Sequence, residues 1–149
     1  MSDQHPDPFD LQRFVGAQDG AYATALAELR AGAKQSHWIW FIFPQVVGLG
    51  SSAMNARFSI GSLEEAVAYL EHPMLGPRLI ESVDAVIALE GRSARQVFGP
   101  DDVKFRSSLT LFHRAAPEER RFSDALAKYF GGELDIRTLE QLAATFGGR

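Results

Sequence analysis

Cysteine is absent from this 149-residue chain. Its absence excludes disulfides, thiolate nucleophiles, redox dithiols and zinc sites built from cysteine. The chain also lacks any apolar run approaching the roughly 20 residues needed to cross a bilayer, so we expect no membrane partner. The chemistry of the protein must therefore come from oxygen and nitrogen groups.

Clustered positive charge is lacking as well. The formal net charge is -4, and the 15 basic residues are spread along the whole chain. This distribution excludes the electrostatic footprint of a general nucleic-acid-binding protein, and duplex nucleic acid is not an expected partner. The polar N-terminus shows neither a signal-peptide pattern nor a lipidation pattern, which predicts a cytoplasmic location.

The apolar content is 46%, which is ample for one core in a chain of this length. Nearly every segment places its apolar residues at helical spacing, and the turn residues fall between these segments. The sequence therefore predicts a single compact all-α domain over residues 1–149. We expect about seven or eight helices, with residues 1–6 as a flexible N-terminal tail.

Capping residues predict where several of these helices begin. Ser62 is expected to open a helix that stops at His72, Ser93 with Gln96 to open a short one, and Asp135 to open the last. Further helix starts are predicted at Asp7, Asp101 and Pro117.

The most unusual segment is Ser36–Gln45, which contains both tryptophans of the chain. Its central residues, Trp38–Phe43, are all large and apolar, so they must be buried. A short apolar run is typical of a buried strand or of a buried helix, but no partner strand is visible. Because a lone strand would leave its backbone groups unpaired, we predict a central helix that ends at Pro44. Residues 46–61 are then predicted to form one long loop.

The first candidate site lies at this aromatic segment. His37 could act as a general acid or base, because an imidazole titrates near neutral pH. Trp38 and Trp40 could stack against a planar ligand, and Gln45 could hydrogen-bond to it. The alternative is that His37 caps or bridges buried backbone and has only a structural role.

The second candidate site is a helix face formed by Lys104, Ser107 and Ser108. One ammonium and two hydroxyls on one face could hold a phosphate or a carboxylate, or could form a Ser-Lys dyad. Arg57, at the end of the glycine- and serine-rich loop, could add a second cation. The alternatives are a solvated helix face and a plain connecting loop. No ligand spacing indicates a metal, and we expect no cofactor.

Several motifs together resemble a family known only as domain of unknown function 1810. They include the aromatic segment and four further blocks, namely Asp7–Phe14, Ala68–Leu79, Val97–Gly99 and Asp102–Phe112. The resemblance implies an all-α bacterial protein whose architecture is like the curved helical arrays that often serve as binding scaffolds. It implies no activity and no catalytic residue. Members are sometimes labelled calpastatin, but that inhibitor is largely disordered, and the aromatic core argues against the label.

Two interpretations of the function follow. The leading one is a cytoplasmic binding module that recognises a protein or a small anionic ligand, through a concave helical surface or a pocket beside His37 and Trp38. The alternative is a small enzyme, such as a hydrolase of an anionic or nucleotide-like metabolite, which requires His37 and Lys104 to line one cavity. A third interpretation is that the motifs serve folding alone. We expect a monomer or a weak homodimer.

Overall fold

Ten α-helices and one 3-10 turn make up the secondary structure of residues 6–144, which are the residues that the computed structural model describes. The α-helices in chain order are α1 (Gln12–Gln18), α2 (Tyr22–Ala31), α3 (Ile39–Ile42), α4 (Ala53–Phe58), α5 (Leu63–Glu71), α6 (Leu75–Ile87), α7 (Ala94–Phe98), α8 (Asp102–Ala115), α9 (Arg120–Phe130) and α10 (Ile136–Leu142). The all-α prediction is confirmed, although the helices are more numerous and shorter than expected. None of the helices described is long and apolar enough to span a membrane. The predicted tail, apart from Pro6, lies outside the described residues.

Three predicted helix starts are confirmed by their capping hydrogen bonds. The Ser62 hydroxyl accepts from the Glu65 amide at 3.0 Å, directly before α5. Ser93 and Gln96 form a reciprocal capping box at the start of α7. One carboxylate oxygen of Asp135 accepts from the Thr138 amide at 3.0 Å and begins α10. In each case a short polar side chain satisfies an amide that has no partner within the helix.

Three other predicted starts need correction. Asp7 accepts from the amides of Leu11 and Gln12, but α1 begins only at Gln12. Pro117 lies three residues before α9, which Glu119 caps instead. Asp101 does precede α8, but its side chain makes no cap bond, because it is engaged in ion pairs with two lysines.

The aromatic segment forms a single helical turn, α3, and the predicted longer central helix is wrong. The chain leaves α3 in an extended form, and Val46 makes an isolated parallel bridge with Ile60. In that bridge the Val47 amide donates to the Ile60 carbonyl, and the Ile60 amide donates to the Gln45 carbonyl, each at 2.8 Å. The predicted loop over residues 46–61 is therefore closed at its base by backbone hydrogen bonds and contains α4.

The central helix of the fold is α8. It packs against α5, α7, α9 and α10. Every residue from Ser107 to Phe112 is buried, so the helix has almost no solvated face. Phe43 reaches this helix and meets the ring of Phe105 edge-on, with 4.9 Å between ring centroids. Contacts of this kind, between helices far apart in sequence, are typical of a globular helical domain rather than of a row of stacked repeats.

Candidate functional site

A cavity of about 390 Å³ lies where the chain after α3, helix α4, helix α8 and the start of α10 meet. We call it the polar cavity, because most of the side chains that line it carry hydrogen-bonding or charged groups. These polar lining residues are Trp40, Gln45, Ser51, Ser52, Asn55, Lys104, Ser107, Asp135 and Arg137. Leu49, Gly50 and Val103 complete the lining.

Helices α8 and α10 form one side of the cavity. Lys104 and Ser107 are three residues apart on α8 and so lie on one face of it. The Ser107 hydroxyl is 3.0 Å from a carboxylate oxygen of Asp135, the N-cap of α10. Arg137, in the first turn of α10, donates to the Leu49 carbonyl at 3.0 Å and so holds the opposite loop. The Asp135 cap and the Arg137 hydrogen bond to Leu49 thus bring residues about 90 positions apart in the sequence into one cavity.

The Asp135 carboxylate serves mainly to join the helices. Its Oδ2 lies within hydrogen-bond distance of the Ser107 hydroxyl, the Thr138 amide and the Thr138 hydroxyl, at 3.0, 3.0 and 2.5 Å. The Asp135 amide also donates to the Thr110 hydroxyl at 2.9 Å. These three neutral donors fix the position of the carboxylate without cancelling its negative charge, so Asp135 joins the helices and also leaves an anionic group in the lining of the cavity.

Lys104 reaches the cavity from an ion-pair cluster. The Asp101 carboxylate lies 2.9 Å from the ammonium of Lys34 and 3.1 Å from that of Lys104. Burial would raise the pKa of Asp101, but the two ammonium groups hold it below its ordinary value. Lys34 is nearly buried, with 7% of its side chain exposed, whereas Lys104 is 34% exposed. Two ammonium groups share one carboxylate, and one positive charge of the three-residue cluster is left uncompensated.

Gln45 and Asn55 form the opposite side, and both are only 7% exposed. Their backbones are paired, since the Gln45 carbonyl accepts from Ile60 and the Asn55 amide donates to Ser52. Their carboxamide heads make no hydrogen bond with any other described residue, yet no atom of either head is sealed inside the protein. The carboxamides therefore open into the polar cavity.

Trp40 completes this side with an indole ring. Its Nε1 is buried and has no hydrogen-bond partner among residues 6–144. An unsatisfied buried donor costs about 1–3 kcal/mol. Because this Nε1 is sealed from solvent, Trp40 contributes the surface of its ring to the cavity, while Gln45 and Asn55 contribute hydrogen-bonding groups and Lys104 and Arg137 contribute cations.

Four of the eight site residues predicted from the sequence line this cavity, namely Trp40, Gln45, Lys104 and Ser107. Trp38 and Ser108 lie elsewhere in the core, 2% and 1% exposed. The indole Nε1 of Trp38 donates to Glu28 at 2.8 Å, which gives this tryptophan a structural partner. The Ser108 hydroxyl has no hydrogen-bond partner within the described part of the chain.

The other two predicted site residues, His37 and Arg57, are exposed and do not line the polar cavity. The guanidinium of Arg57 lies over the ring of Phe58, 5.2 Å from its centroid. His37 is not among the residues that line the polar cavity, so this cavity does not bring His37 and Lys104 together.

Asn55, Asp135 and Arg137 were missed as site residues. A signal for Asn55 was available, because Ser52 three residues earlier is a good N-cap and indicates a helix inside the predicted loop. Asp135 was identified only as a cap. Nothing local marks Arg137, since its position at the cavity depends on how α10 packs against the distant Leu49 loop.

A family model described as "Protein of unknown function (DUF1810)" matches residues 8–142. The chain belongs to this family. The matched range contains every residue that lines the polar cavity, from Trp40 to Arg137. The DUF1810 assignment confirms the resemblance seen in the sequence motifs.

A solved structure is similar to this DUF1810 chain over nearly its whole length. It is the crystal structure of the conserved hypothetical protein Rv1873 from Mycobacterium tuberculosis, which is 54% identical in sequence. The match covers 92% of this chain and 99% of that one, with a TM-score of 0.90. The helical fold is thus shared between the two proteins. No curated protein matches the chain.

Proposed function

We propose that this protein is a binding module for a small anionic molecule, which it holds in the polar cavity. The observation that carries the proposal is that the carboxamides of Gln45 and Asn55, which hydrogen-bond to no other residue of the described range, line the same cavity as Lys104 and Arg137. Pockets for small ligands characteristically combine a preformed concavity with a few convergent polar groups. The volume of about 390 Å³ lies near the lower end of the roughly 300–1,000 Å³ that such pockets span.

The charges favour an anion over a cation. Two cations, Lys104 and Arg137, and one carboxylate, Asp135, line the cavity, while the Asp101 carboxylate is shared between two lysines, so positive charge is in excess. An anionic group between Lys104 and Arg137 would accept hydrogen bonds from the N–H groups of both cations. A ligand ammonium would meet the same cations and be repelled.

Catalysis receives less support than binding. The enzyme interpretation assigns the role of acid or base to His37, and no histidine is among the lining residues of the cavity. The Ser107 hydroxyl lies 3.0 Å from both the Asp135 carboxylate and the Val103 carbonyl, and the same carboxylate oxygen caps α10 through Thr138, which gives the pair a structural role. Within residues 6–144, no three histidine, aspartate or glutamate side chains cluster in a way that could hold a metal ion.

A larger groove of about 750 Å³ lies between α5 and α10, and it is lined mostly by apolar side chains such as Leu63, Val67 and Leu139. Such a groove would suit a binding module whose partner is a protein. Its lining extends to Ala143, almost at the end of the described residues. The polar cavity lies wholly within the described range and carries polar groups that have no hydrogen-bond partner in that range, and it is therefore the better supported site.

The test is a thermal-shift titration with ribose 5-phosphate, inorganic phosphate and citrate. A ligand at about 100 times its dissociation constant adds roughly 2.7 kcal/mol, enough to raise the melting temperature by several degrees. The rise should vanish in Lys104→Met and Arg137→Met and should persist in Arg57→Met, which removes an exposed cation outside the cavity. No shift with any anion, or equal shifts in all three variants, would contradict the proposal.

A further inference from the structure

The two sides of the polar cavity present different chemistry. One side is charged, with Lys104 and Arg137. The other is uncharged and consists of the carboxamides of Gln45 and Asn55 beside the indole of Trp40. A ligand that satisfies both sides must carry an anionic group at one end and a neutral hydrogen-bonding group at the other.

The carboxamides restrict what the neutral group can be. Each carboxamide offers a donor and an acceptor side by side, which matches the adjacent acceptor and donor on the edge of a nitrogen heterocycle. Because Gln45 and Asn55 are almost fully buried, an ammonium or a purely apolar head would leave some of these groups unpaired and desolvated. A planar heterocycle with several ring or exocyclic nitrogen and oxygen atoms satisfies both amides.

The indole of Trp40 favours a flat ligand for a second reason. Aromatic side chains stack on bases with a gain of about 1–3 kcal/mol per base. A heterocycle in the cavity would contact the indole of Trp40 and not that of Trp38, which lies outside the cavity and donates to Glu28.

The absence of a side chain at Gly50 allows the loop to pack closely on the Asn55 carboxamide. A Cβ atom at Gly50 would stand 2.7 Å from the Asn55 Nδ2 and 2.9 Å from its Cγ, closer than such atoms can approach. The loop before α4 can therefore pack on the Asn55 carboxamide only because residue 50 has no side chain. Substitution there offers a way to displace the carboxamide without changing it.

We infer, resting on the proposed function, that the ligand is a single nitrogen heterocycle linked to an anionic group, with the heterocycle against Gln45, Asn55 and Trp40 and the anion at Lys104 and Arg137. A nucleoside monophosphate and a heterocyclic carboxylate share this chemistry. The cavity volume of about 390 Å³ suits one such ring and its anionic group, rather than a dinucleotide.

The test is isothermal titration of the whole chain with three groups of probes. The first comprises the nucleoside 5′-monophosphates of adenine, guanine, cytosine and uracil; the second is orotate; the third is ribose 5-phosphate, which has the anion but no base. At least one base-bearing probe should bind ten times more tightly than ribose 5-phosphate. A preference for a monophosphate or for orotate then identifies which of the two sources of the chemistry applies.

Substitutions in the cavity show which residues produce the tighter binding of the base-bearing probe. Gln45→Met and Asn55→Leu keep the approximate shape of each side chain while removing its hydrogen-bonding groups. They should reduce the affinity for the base-bearing probe to that for ribose 5-phosphate, while the affinity for ribose 5-phosphate itself stays within twofold. Gly50→Ala should act in the same way by pushing the Asn55 carboxamide aside. Ser108→Ala, a buried polar deletion outside the cavity, is the matched control and should leave both affinities unchanged.

The outcomes separate the two claims. If ribose 5-phosphate binds and the bases add less than twofold, the inference about the heterocycle is overturned while the anion site stands. If a base-bearing probe binds tightly but Gln45→Met, Asn55→Leu and Gly50→Ala leave its affinity unchanged, the heterocycle lies elsewhere and the inference is again overturned. If none of the probes binds, the inference is overturned, and the proposed function fails with it when inorganic phosphate and citrate also leave the melting temperature unchanged.

Discussion

Replacing Glu28 with glutamine should destabilise the fold in a pH-dependent way. The Glu28 carboxylate accepts four hydrogen bonds, from the amides of Gln35 and Ser36, the Ser36 hydroxyl and the Trp38 indole, at 2.6–3.0 Å. Burial would raise its pKa, but these donors outweigh burial and lower the pKa from 4.5 to about 2. The charged form is therefore the one that the folded state prefers.

The size of the effect follows from this pKa. A drop from 4.5 to about 2 corresponds to an upper limit of about 3 kcal/mol. Because Glu28 is partly exposed, solvent screening reduces this figure, and we expect a loss of about 2 kcal/mol at pH 7 for Glu28→Gln. The glutamine amide would also point a donor at groups that are themselves donors.

The sign of the pH dependence is fixed by the direction of the pKa change. A carboxylate whose pKa is lowered on folding contributes its stability above pH 4.5 and loses it as the pH falls towards about 2. The difference between the wild-type protein and Glu28→Gln should therefore shrink by about half or more between pH 7 and pH 3.

Urea denaturation followed by tryptophan fluorescence measures this difference. With a slope of about 2 kcal/mol per molar urea, a loss of about 2 kcal/mol moves the midpoint by about 1 M. Glu90→Gln, which removes an exposed carboxylate, is the control and should move it little. A difference between the wild-type protein and Glu28→Gln that is the same at pH 7 and pH 3 would refute the reasoning.

Three further substitutions test the geometry through urea midpoints. Asn55→Leu should leave the free energy of unfolding unchanged or raise it, because Asn55 is only 7% exposed and its carboxamide hydrogen-bonds to no other residue among residues 6–144; a clear loss would contradict that. Ser107→Ala should lower the free energy of unfolding by about 1.5 kcal/mol, because it removes the hydrogen bond to Asp135. Ser108→Ala should leave it unchanged, because the Ser108 hydroxyl has no partner among residues 6–144; equal losses in the two variants would contradict this. Gly76→Ala should cost more than about 2 kcal/mol, because its Cβ would meet the Leu70 carbonyl oxygen at 2.0 Å; a neutral result would be unexpected.

Helix class and several helix starts were predictable because their causes are local. Ser62, Ser93 and Asp135 act within three residues of themselves, and the sequence carries both partners of each cap. The pairing of Val46 with Ile60 was not predictable in this way, since its two members are separated by α4. Without that pairing, an extended form of the aromatic segment seemed to leave its backbone unsatisfied, and a long helix was wrongly preferred.

The candidate site was predictable only in part for a similar reason. Lys104 and Ser107 were identified together because spacing on one helix fixes their common face. Trp38 could not be told from Trp40 by pattern, because the partner that makes Trp38 structural, Glu28, lies on α2. Arg137 reaches the cavity through a contact with Leu49, 88 positions away, and no local rule predicts such a contact.

The most direct test of the polar cavity is an NMR titration of the two indole N–H signals. The chain has only two tryptophans, and a Trp40→Phe sample assigns their signals. On addition of ribose 5-phosphate and then of adenosine 5′-monophosphate, the Trp40 signal should move, because this indole lines the cavity and lacks a hydrogen-bond partner among the described residues. The Trp38 signal should stay in place, because its N–H is held by Glu28. Two unmoved signals at saturating ligand, or movement of Trp38 alone, would contradict a ligand site in the polar cavity.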